Sequence, residues 1–317
     1  MKKFLIASTA LALSAGMAAA EVKFSGDARF GIQYNGGAAA TGVAKTRLEK
    51  RMTVNIDGST TADNGVTFGA RVRIRSDEGN RNGASNTAVN GARVYARAGG
   101  LTVAVGNILG AVESMPNLYG PSVGLTGLGW SGLVTNTSLN AFAWDAYDSR
   151  GNGAEGVEAI YTMGDFTGHV SYSSDKLALA GTGVGKRLAA FGAYTFSGWT
   201  VALGMQDSNL AAEDKIILTA SGKVGDFGIG FGAARNGSGG TKVNKFAING
   251  SYTMGATTVS GYVASESGHV GVAVPASKTT YGIGAAYNMG GGARLVGGIE
   301  RTTANTPRAH LGVASRF

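Results

Sequence analysis

Apolar and polar residues alternate with a period of two through most of the chain after residue 20. Successive side chains of a β-strand point to opposite faces, so this alternation predicts strands with one apolar and one polar face. In the first segment the apolar positions are Val22, Phe24, Ala28, Phe30, Ile32 and Tyr34. The whole pattern predicts sixteen strands, at residues 22–35, 46–58, 65–76, 88–98, 101–107, 156–164, 166–174, 187–197, 199–207, 214–224, 226–235, 243–254, 257–265, 279–289, 292–302 and 309–317.

The predicted connections alternate between short and long. The short ones are tight, Gly-containing turns at Gly99-Gly100, Gly164-Asp165, Ser197-Gly198, Gly225, Gly255-Ala256 and Gly290-Gly291. The long ones include residues 77–87, 175–186, 236–242 and 266–278. In an antiparallel barrel this alternation places the short turns and both termini on one side and the long loops on the other. Bacterial outer-membrane barrels have this asymmetry, whereas a soluble β-sandwich has no need of it.

Residues 139–146 also alternate and could form a further strand. Accepting this strand would give seventeen strands and would place the long connection at 175–186 on the side of the short turns. We therefore interpret residues 108–155 as one loop of 48 residues. Loops longer than about 15 residues are uncommon unless they carry a function.

A strand protein can cross lipid only as a closed barrel, because every backbone N–H and C=O must then be paired internally. The sequence therefore predicts an all-β fold, a transmembrane 16-stranded antiparallel β-barrel. A barrel of this size encloses water, which explains the polar face of each strand. Aromatic residues close to the short turns fit the interfacial girdle of such a barrel: Phe166, Phe196, Trp199, Phe227, Tyr252, Tyr287 and Phe317.

Residues 1–20 form a separate unit. Two lysines follow Met1, an apolar stretch continues to residue 13, and three alanines occupy positions 18–20. This order is typical of a secretory signal peptide, and the apolar stretch is shorter than the about 20 residues of a membrane-spanning helix. We expect residues 1–20 to direct export and residues 21–317 to form the outer-membrane barrel.

Composition narrows the possible functions further. The chain has 53 Gly, 4 Pro and no Cys in 317 residues, so disulfide scaffolds, Cys-ligated metals and thiol catalysis are excluded. Lys and Arg exceed Asp and Glu by eight, or by six without the two lysines of the signal peptide. An exported basic chain favours anionic solutes or lipid as partners and makes nucleic acid an unlikely one.

Candidate enzyme and metal chemistry is sparse. The three histidines, His169, His269 and His310, have no metal-binding spacing, and we interpret them as solvated. Residues 183–187 (GVGKR) lack the full spacing of a phosphate-binding loop. Residues 77–80 (DEGN) could offer oxygen ligands to Ca²⁺, although a solvated acidic loop is the simpler reading. We predict neither a catalytic site nor a cofactor, with Ca²⁺ in the loops as the one open possibility.

The strongest cluster of chemical groups is basic. Seven arginines on the polar faces of the first four predicted strands form what we call the arginine arc: Arg29, Arg51, Arg71, Arg73, Arg75, Arg93 and Arg97. Seven cations cannot face lipid, so we expect them to line the lumen. The long loop carries acids, including Glu113, Asp145 and Asp148. If the loop folds inward, these acids would oppose the arginine arc across a narrowed pore.

The mature chain resembles the general diffusion porins of purple phototrophic and related alphaproteobacteria. The matching stretches, in order, are VKFSGDARFGIQY (22–34), GVTFGARVRIR (65–75), VAVGN (103–107), YGIGAAY (281–287) and LGVASRF (311–317). The resemblance implies a sixteen-stranded barrel, a homotrimer, and a third long loop, here 108–155, folded inward opposite clustered arginines. The sequence departs from the family pattern in that Glu113 is the only acid of this loop before Asp145.

These observations predict an outer-membrane porin that forms a water-filled channel for passive diffusion of small hydrophilic solutes and ions. Arginines in the lining predict a weak preference for anions. A substrate-specific outer-membrane channel remains the nearest alternative, followed by an outer-membrane barrel enzyme and a secreted Gly-rich adhesin.

Overall fold

The computed structural model describes residues 20–38, 44–77, 86–125, 127–139, 155–175, 184–267 and 278–317. The predicted signal peptide therefore lies outside the described residues, apart from Ala20. The described parts of the chain contain seventeen β-strands: β1 Glu21–Asn35, β2 Thr46–Thr61, β3 Thr67–Asp77, β4 Asn86–Val89, β5 Arg93–Ala98, β6 Leu101–Gly106, β7 Glu155–Met163, β8 Phe166–Ser174, β9 Lys186–Phe196, β10 Trp199–Ser208, β11 Lys215–Val224, β12 Phe227–Asn236, β13 Val243–Met254, β14 Thr257–Glu266, β15 Thr279–Gly290, β16 Ala293–Arg301 and β17 Pro307–Arg316.

The strands form one closed antiparallel barrel. Apart from β4 and β5, strands that are consecutive in sequence pair with each other, and β1 pairs with both β2 and β17. β4 and β5 both pair with β3 and occupy a single position in the wall, so the barrel has sixteen positions as predicted. The short turns and both ends of the barrel chain lie on one side, which we call the short-turn side.

The break between β4 and β5 is the main departure from the predicted strands. Ile74 is opposite Val89, whereas Arg71 is opposite Arg93, so the second strand contains one extra residue. The extra residue forms a β-bulge. Because of it, apolar side chains on both sides of the break point outward, although they are an odd number of positions apart. Val89 and Val94 are accordingly 55% and 49% exposed on the outer surface. The sequence pattern had suggested one continuous strand at 88–98.

The outer and inner faces of the barrel differ in polarity as the alternation predicts. Large apolar side chains such as Phe30, Leu48 and Phe246 are exposed on the outside. On the inside the wall carries buried polar groups, including Glu49, Glu158, Lys245 and Glu300. No helix in the described ranges is long and apolar enough to span a bilayer.

The connection between β6 and β7, residues 107–154, is called the inner loop below; residues 107–125 and 127–139 of it are described. This described part contains a short 3₁₀ turn at Trp130–Gly132 and is otherwise irregular. Its apolar side chains, including Val112, Met115 and Val123, are buried. They pack against the inner wall in a cluster that contains Phe191, Ile217, Ala234 and Ala264. The hydrophobic core of the protein therefore lies between the loop and the wall, inside the barrel.

Glycines of the inner wall allow this close packing. Gly284 and Gly298 are opposite each other on β15 and β16, and a Cβ on either would overlap the carbonyl oxygen of Val123. Cβ atoms on Gly31 and Gly312 would lie 2.6 and 2.7 Å from Cδ1 of Leu125. Glycine is therefore required at these wall positions, because any side chain there would prevent the loop backbone from lying so close to the wall.

Candidate functional site

Glu158, on β7, binds the start of the inner loop. Its Oε2 accepts hydrogen bonds from the backbone N–H groups of Leu109 and Gly110 at 3.0 and 3.2 Å. Its Oε1 accepts from Nε of Arg93 at 2.8 Å, and Nε2 of His169 lies 2.9 Å from Oε2. The Glu158 side chain has no exposed surface. One buried carboxylate therefore joins the loop to three strands of the wall.

Two further wall carboxylates bind the loop in the same way. Glu300 accepts from the backbone N–H of Gly129 at 2.7 Å and forms an ion pair with Arg308 at 2.8 Å. Glu266 accepts from the N–H of Ser138 at 2.9 Å, and Lys245 lies 3.8 Å from it. Lys245 in turn donates to the carbonyl oxygens of Ser131, at 2.6 Å, and Asn136.

Neutral side chains and arginines provide further contacts to the loop. Thr219 donates to the carbonyl oxygen of Pro116, and Asn236 to that of Val134, both at 2.7 Å. Arg29 donates to the carbonyl oxygen of Leu125 at 2.9 Å. These contacts run from β7 around the barrel to β1, so the inner loop covers that part of the wall. On the inner face of β2 and β3, Arg51 and Arg75 line a cavity together with residues of the loop.

The strand register brings the arginine arc together. Arg29 and Arg51 are direct neighbours on β1 and β2, and Arg71 is opposite Arg93 on β3 and β5. Arg29 pairs with Glu49 at 2.8 Å and Arg71 with Asp57 at 2.5 Å. Arg75 donates to the hydroxyl of Thr53 at 3.0 Å, and Arg73 is 9% exposed.

The seven arginines have different surroundings. Arg93 is 8% exposed and is bound to Glu158, so its charge serves the attachment of the loop. Arg97 is exposed at the end of β5, beside the short turn at Gly99 and Gly100. Arg29, Arg51 and Arg75 line the space next to the inner loop.

Two adjoining cavities lie where the inner loop meets the arginine arc. The upper cavity, about 250 Å³, is lined by Arg29, Arg51 and loop residues between Tyr119 and Leu133. The lower cavity, about 260 Å³, lies on the short-turn side of Ser122 and Leu125. Both cavities contain Arg29, Arg51, Ser122 and Leu125 in their lining, so these four residues mark the passage between the two.

Of the three acids predicted to oppose the arginines, Glu113 is the one that the structure describes. Glu113 lies near Tyr119, where burial and the Glu113 charge together raise the pKa of the Tyr119 hydroxyl, so this tyrosine stays neutral. Asp145 and Asp148 lie outside the described residues. The loop residues that line the upper cavity opposite Arg29 and Arg51 are uncharged, among them Tyr119, Leu125 and Trp130.

The minor candidates of the sequence have structural roles or lie outside the described residues. His169 and His310 are 1% and 4% exposed, so the expectation that they are solvated is wrong for these two. His269 and residues 78–80 of the possible Ca²⁺ segment are not described. Arg187, in the GVGKR segment, forms ion pairs at 2.7 Å with Asp175 and with Glu213. The described residues contain no group of three or more metal-binding side chains.

Sequence reasoning missed the residues that hold the loop. They include Glu158 on β7, Lys245 on β13, Glu266 on β14 and Glu300 on β16. One sequence pattern could have identified them. Each alternates with apolar residues of the outer face, and this alternation places its side chain inside the barrel. What each charge binds depends on the path of the loop, and the sequence pattern does not contain that path.

A closed barrel with an apolar outer face, a polar inner wall and a long loop inside the lumen defines a transmembrane channel of the β-barrel class. The chain belongs to the Gram-negative porin family, whose model matches residues 7–307. It is 29% identical over 312 residues to a porin of Fuscovulum blasticum and 30% identical over 326 residues to a porin of Rhodobacter capsulatus. Each comparison covers 94% of this chain and 100% of the relative.

Solved structures agree with this assignment. A multiply substituted porin of Rh. blastica superposes with a TM-score of 0.77 and 25% sequence identity, over 94% of this chain and 100% of that one. A second substituted form of the same porin gives a TM-score of 0.76 and 26% identity. The protein is therefore an outer-membrane porin channel by family, and the resemblance found in the sequence is confirmed.

Porins are channels without covalent chemistry, so the chain is not an enzyme.

Proposed function

We propose that the protein forms a water-filled channel for passive diffusion of small hydrophilic solutes and ions across the Gram-negative outer membrane, with a weak preference for anions. The observation that carries this proposal is the pair of cavities that adjoin between the inner loop and Arg29 and Arg51. A solute on this route passes beside guanidinium groups on one side and loop backbone on the other. We further propose export by the signal peptide at residues 1–20, with the inner loop as the pore-constricting element.

The expected selectivity follows from the charge of the wall. A unit charge about 7 Å away in a medium as polar as water changes the energy of an ion by about 0.6 kcal/mol, a factor of two to three in local concentration. Several arginines near the passage therefore enrich anions and deplete cations. The Debye length is about 10 Å at 0.1 M salt and about 3 Å at 1 M, so concentrated salt screens this effect.

We expect the detergent-extracted protein to produce large, ohmic conductance steps in a planar bilayer. Across a KCl gradient below about 0.1 M, the reversal potential should show chloride preference, and at about 1 M the preference should largely disappear. Absence of conductance in protein shown to be folded and inserted would contradict the channel. Cation preference at low salt would contradict the role given to the arginines.

The variant Arg51→Gln/Arg75→Gln should shift the low-salt reversal potential clearly toward zero. Both side chains line the lower cavity, and each lost charge removes about a factor of two to three in local anion concentration. Arg235→Gln is the matched control, because Arg235 is exposed on the outer face of β12. An equal shift in both variants would show that the position of the charge is irrelevant, contrary to the proposal.

We also propose that three copies assemble, as the resemblance to alphaproteobacterial porins implies. Small outward residues on β1, Gly26 and Ala28, would allow close contact between copies. Conductance steps grouped in threes and a trimer mass by native mass spectrometry in detergent are the expected results. A stable, conducting monomer would contradict this proposal.

A further inference from the structure

The lower cavity contains two arginines outside the arginine arc. Its lining includes Arg294 of β16 and Arg316 of β17 together with Arg29, Arg51 and Arg75. Asp27 is the one acidic residue in the lining of this cavity. Five guanidinium groups from five strands therefore surround about 260 Å³ on the short-turn side of the loop.

The strand register gives the same grouping independently of the cavity. One row across the wall joins Arg294, Ala314, Arg29 and Arg51, because Ala314 is opposite both Arg294 and Arg29 and Arg29 is opposite Arg51. The next row joins Arg316, Asp27, Thr53 and Arg75. Neighbouring strands are about 4.8 Å apart, so each row spans about 14 Å. Ala314, in the middle of the first row, leaves space that long neighbouring side chains can share.

Arg294 and Arg316 have donors available for a ligand. Both side chains are exposed to the cavity, and within the described residues neither has a hydrogen bond or an ion pair. By contrast, Arg29 is engaged by Glu49 and by the carbonyl oxygen of Leu125. The cavity thus contains two guanidinium groups that can donate hydrogen bonds to a ligand, and three other guanidinium groups that add to its positive potential.

We propose that the lower cavity is a binding subsite for small oxyanions of the phosphate type, either inorganic phosphate or a phosphate monoester. This proposal rests on the channel function proposed above and adds a preferred class of solute to it. Guanidinium groups bind phosphate oxygens through paired, charge-assisted hydrogen bonds. Groups that converge from five strands fit a tetrahedral oxyanion better than a planar carboxylate. Asp27 keeps the binding weak, which a channel requires because a bound ion must also leave.

The test uses phosphate added to the chloride solution of a planar bilayer that contains the full protein. Wild-type chloride conductance should fall to a plateau as phosphate is raised, with half-saturation in the millimolar range. In Arg294→Gln/Arg316→Gln, half-saturation should need about tenfold more phosphate, because charge-assisted hydrogen bonds are lost. Arg97→Gln is the control. It removes a positive charge at the short-turn end of β5, and Arg97 does not belong to the lining of the lower cavity, so the phosphate concentration at half-saturation should stay unchanged.

Three results would overturn the subsite. These are the absence of a plateau in the wild type, an equal effect of Arg97→Gln and the double variant, and an equal block by acetate. If the wild-type channel conducts and prefers chloride but shows no plateau with phosphate, the subsite is contradicted and the proposed channel function stands. If the inserted protein does not conduct, the channel proposal fails, and calorimetric titration of the detergent-folded protein with phosphate still decides the subsite. Saturable heat in the wild type that is absent in the double variant supports it, and no saturable heat overturns it.

Discussion

Replacing Glu158 by Ala should release the first turn of the inner loop and make the open channel noisier and more conductive. The carboxylate accepts two loop N–H groups and neutralises the buried Arg93. Removing one partner of a buried ion pair costs about 3–5 kcal/mol, since the other charge stays buried without compensation. At 1.4 kcal/mol per factor of ten, hydrogen exchange at Leu109 and Gly110 should accelerate at least about 100-fold.

The control for this variant is Asp165→Asn, which removes an exposed carboxylate at the short turn between β7 and β8. It should leave the exchange at Leu109 and Gly110, the noise and the conductance unchanged. Glu158→Gln should have an intermediate effect, because a single amide cannot accept hydrogen bonds on both sides. Unchanged exchange at Leu109 and Gly110 in Glu158→Ala would show that the loop is held elsewhere.

A double-mutant comparison separates attachment of the loop from simple loss of charge. Adding Arg93→Gln to Glu158→Gln removes the buried cation that Glu158→Gln leaves behind. Barrel stability should therefore recover in part, while fast exchange at Leu109 and Gly110 persists because their acceptor is still impaired. Full recovery of slow exchange would mean that Glu158 acts only through Arg93.

The wall of the barrel was predictable from local pattern. Period-two alternation and turn chemistry require only neighbouring residues, and both gave the strands to within a few residues. The bulge between β4 and β5 was not predictable from the sequence pattern. Its one extra residue interchanges the inward and outward positions within residues 88–98, a stretch whose composition is still that of a single strand. The bulge changes the face on which Val89 lies, and it leaves unchanged the alternation that the sequence analysis used for Arg93 and Arg97.

The contacts of the inner loop were not predictable in the same way. Many of them join residues more than 100 positions apart, such as Gly129 with Glu300 and Pro116 with Thr219. An inward Glu on β16 and an inward Glu on β7 look alike in sequence, and only the path of the loop decides what each one binds. The sequence did indicate that the loop folds inward, and its many buried apolar residues supply the physical reason.

Gly284→Ala and Gly298→Ala should move the loop away from the wall and reduce the conductance, the opposite of the effect expected for Glu158→Ala. A Cβ at either position would overlap the carbonyl oxygen of Val123, and both partners are backbone or Cβ atoms that cannot rotate away. Overpacking of a tight interior costs about 1–3 kcal/mol. The loop near Val123 can relieve it by shifting into the lumen, toward Arg29 and Arg51, which narrows the passage.

Two other glycines serve as matched controls for this last prediction. A Cβ on Gly204 would lie 2.7 Å from Sδ of Met115, and the flexible methionine can yield; a Cβ on Gly58 would have no neighbour within 4 Å. Gly204→Ala and Gly58→Ala should therefore keep wild-type conductance, whereas Gly284→Ala/Gly298→Ala should show the largest reduction. Because we expect the barrel strands to remain paired in each of these variants, the difference in conductance measures how closely the loop must lie on the wall to leave the passage open. Equal conductance in the double variant and in Gly58→Ala would mean that this part of the loop does not set the width of the channel.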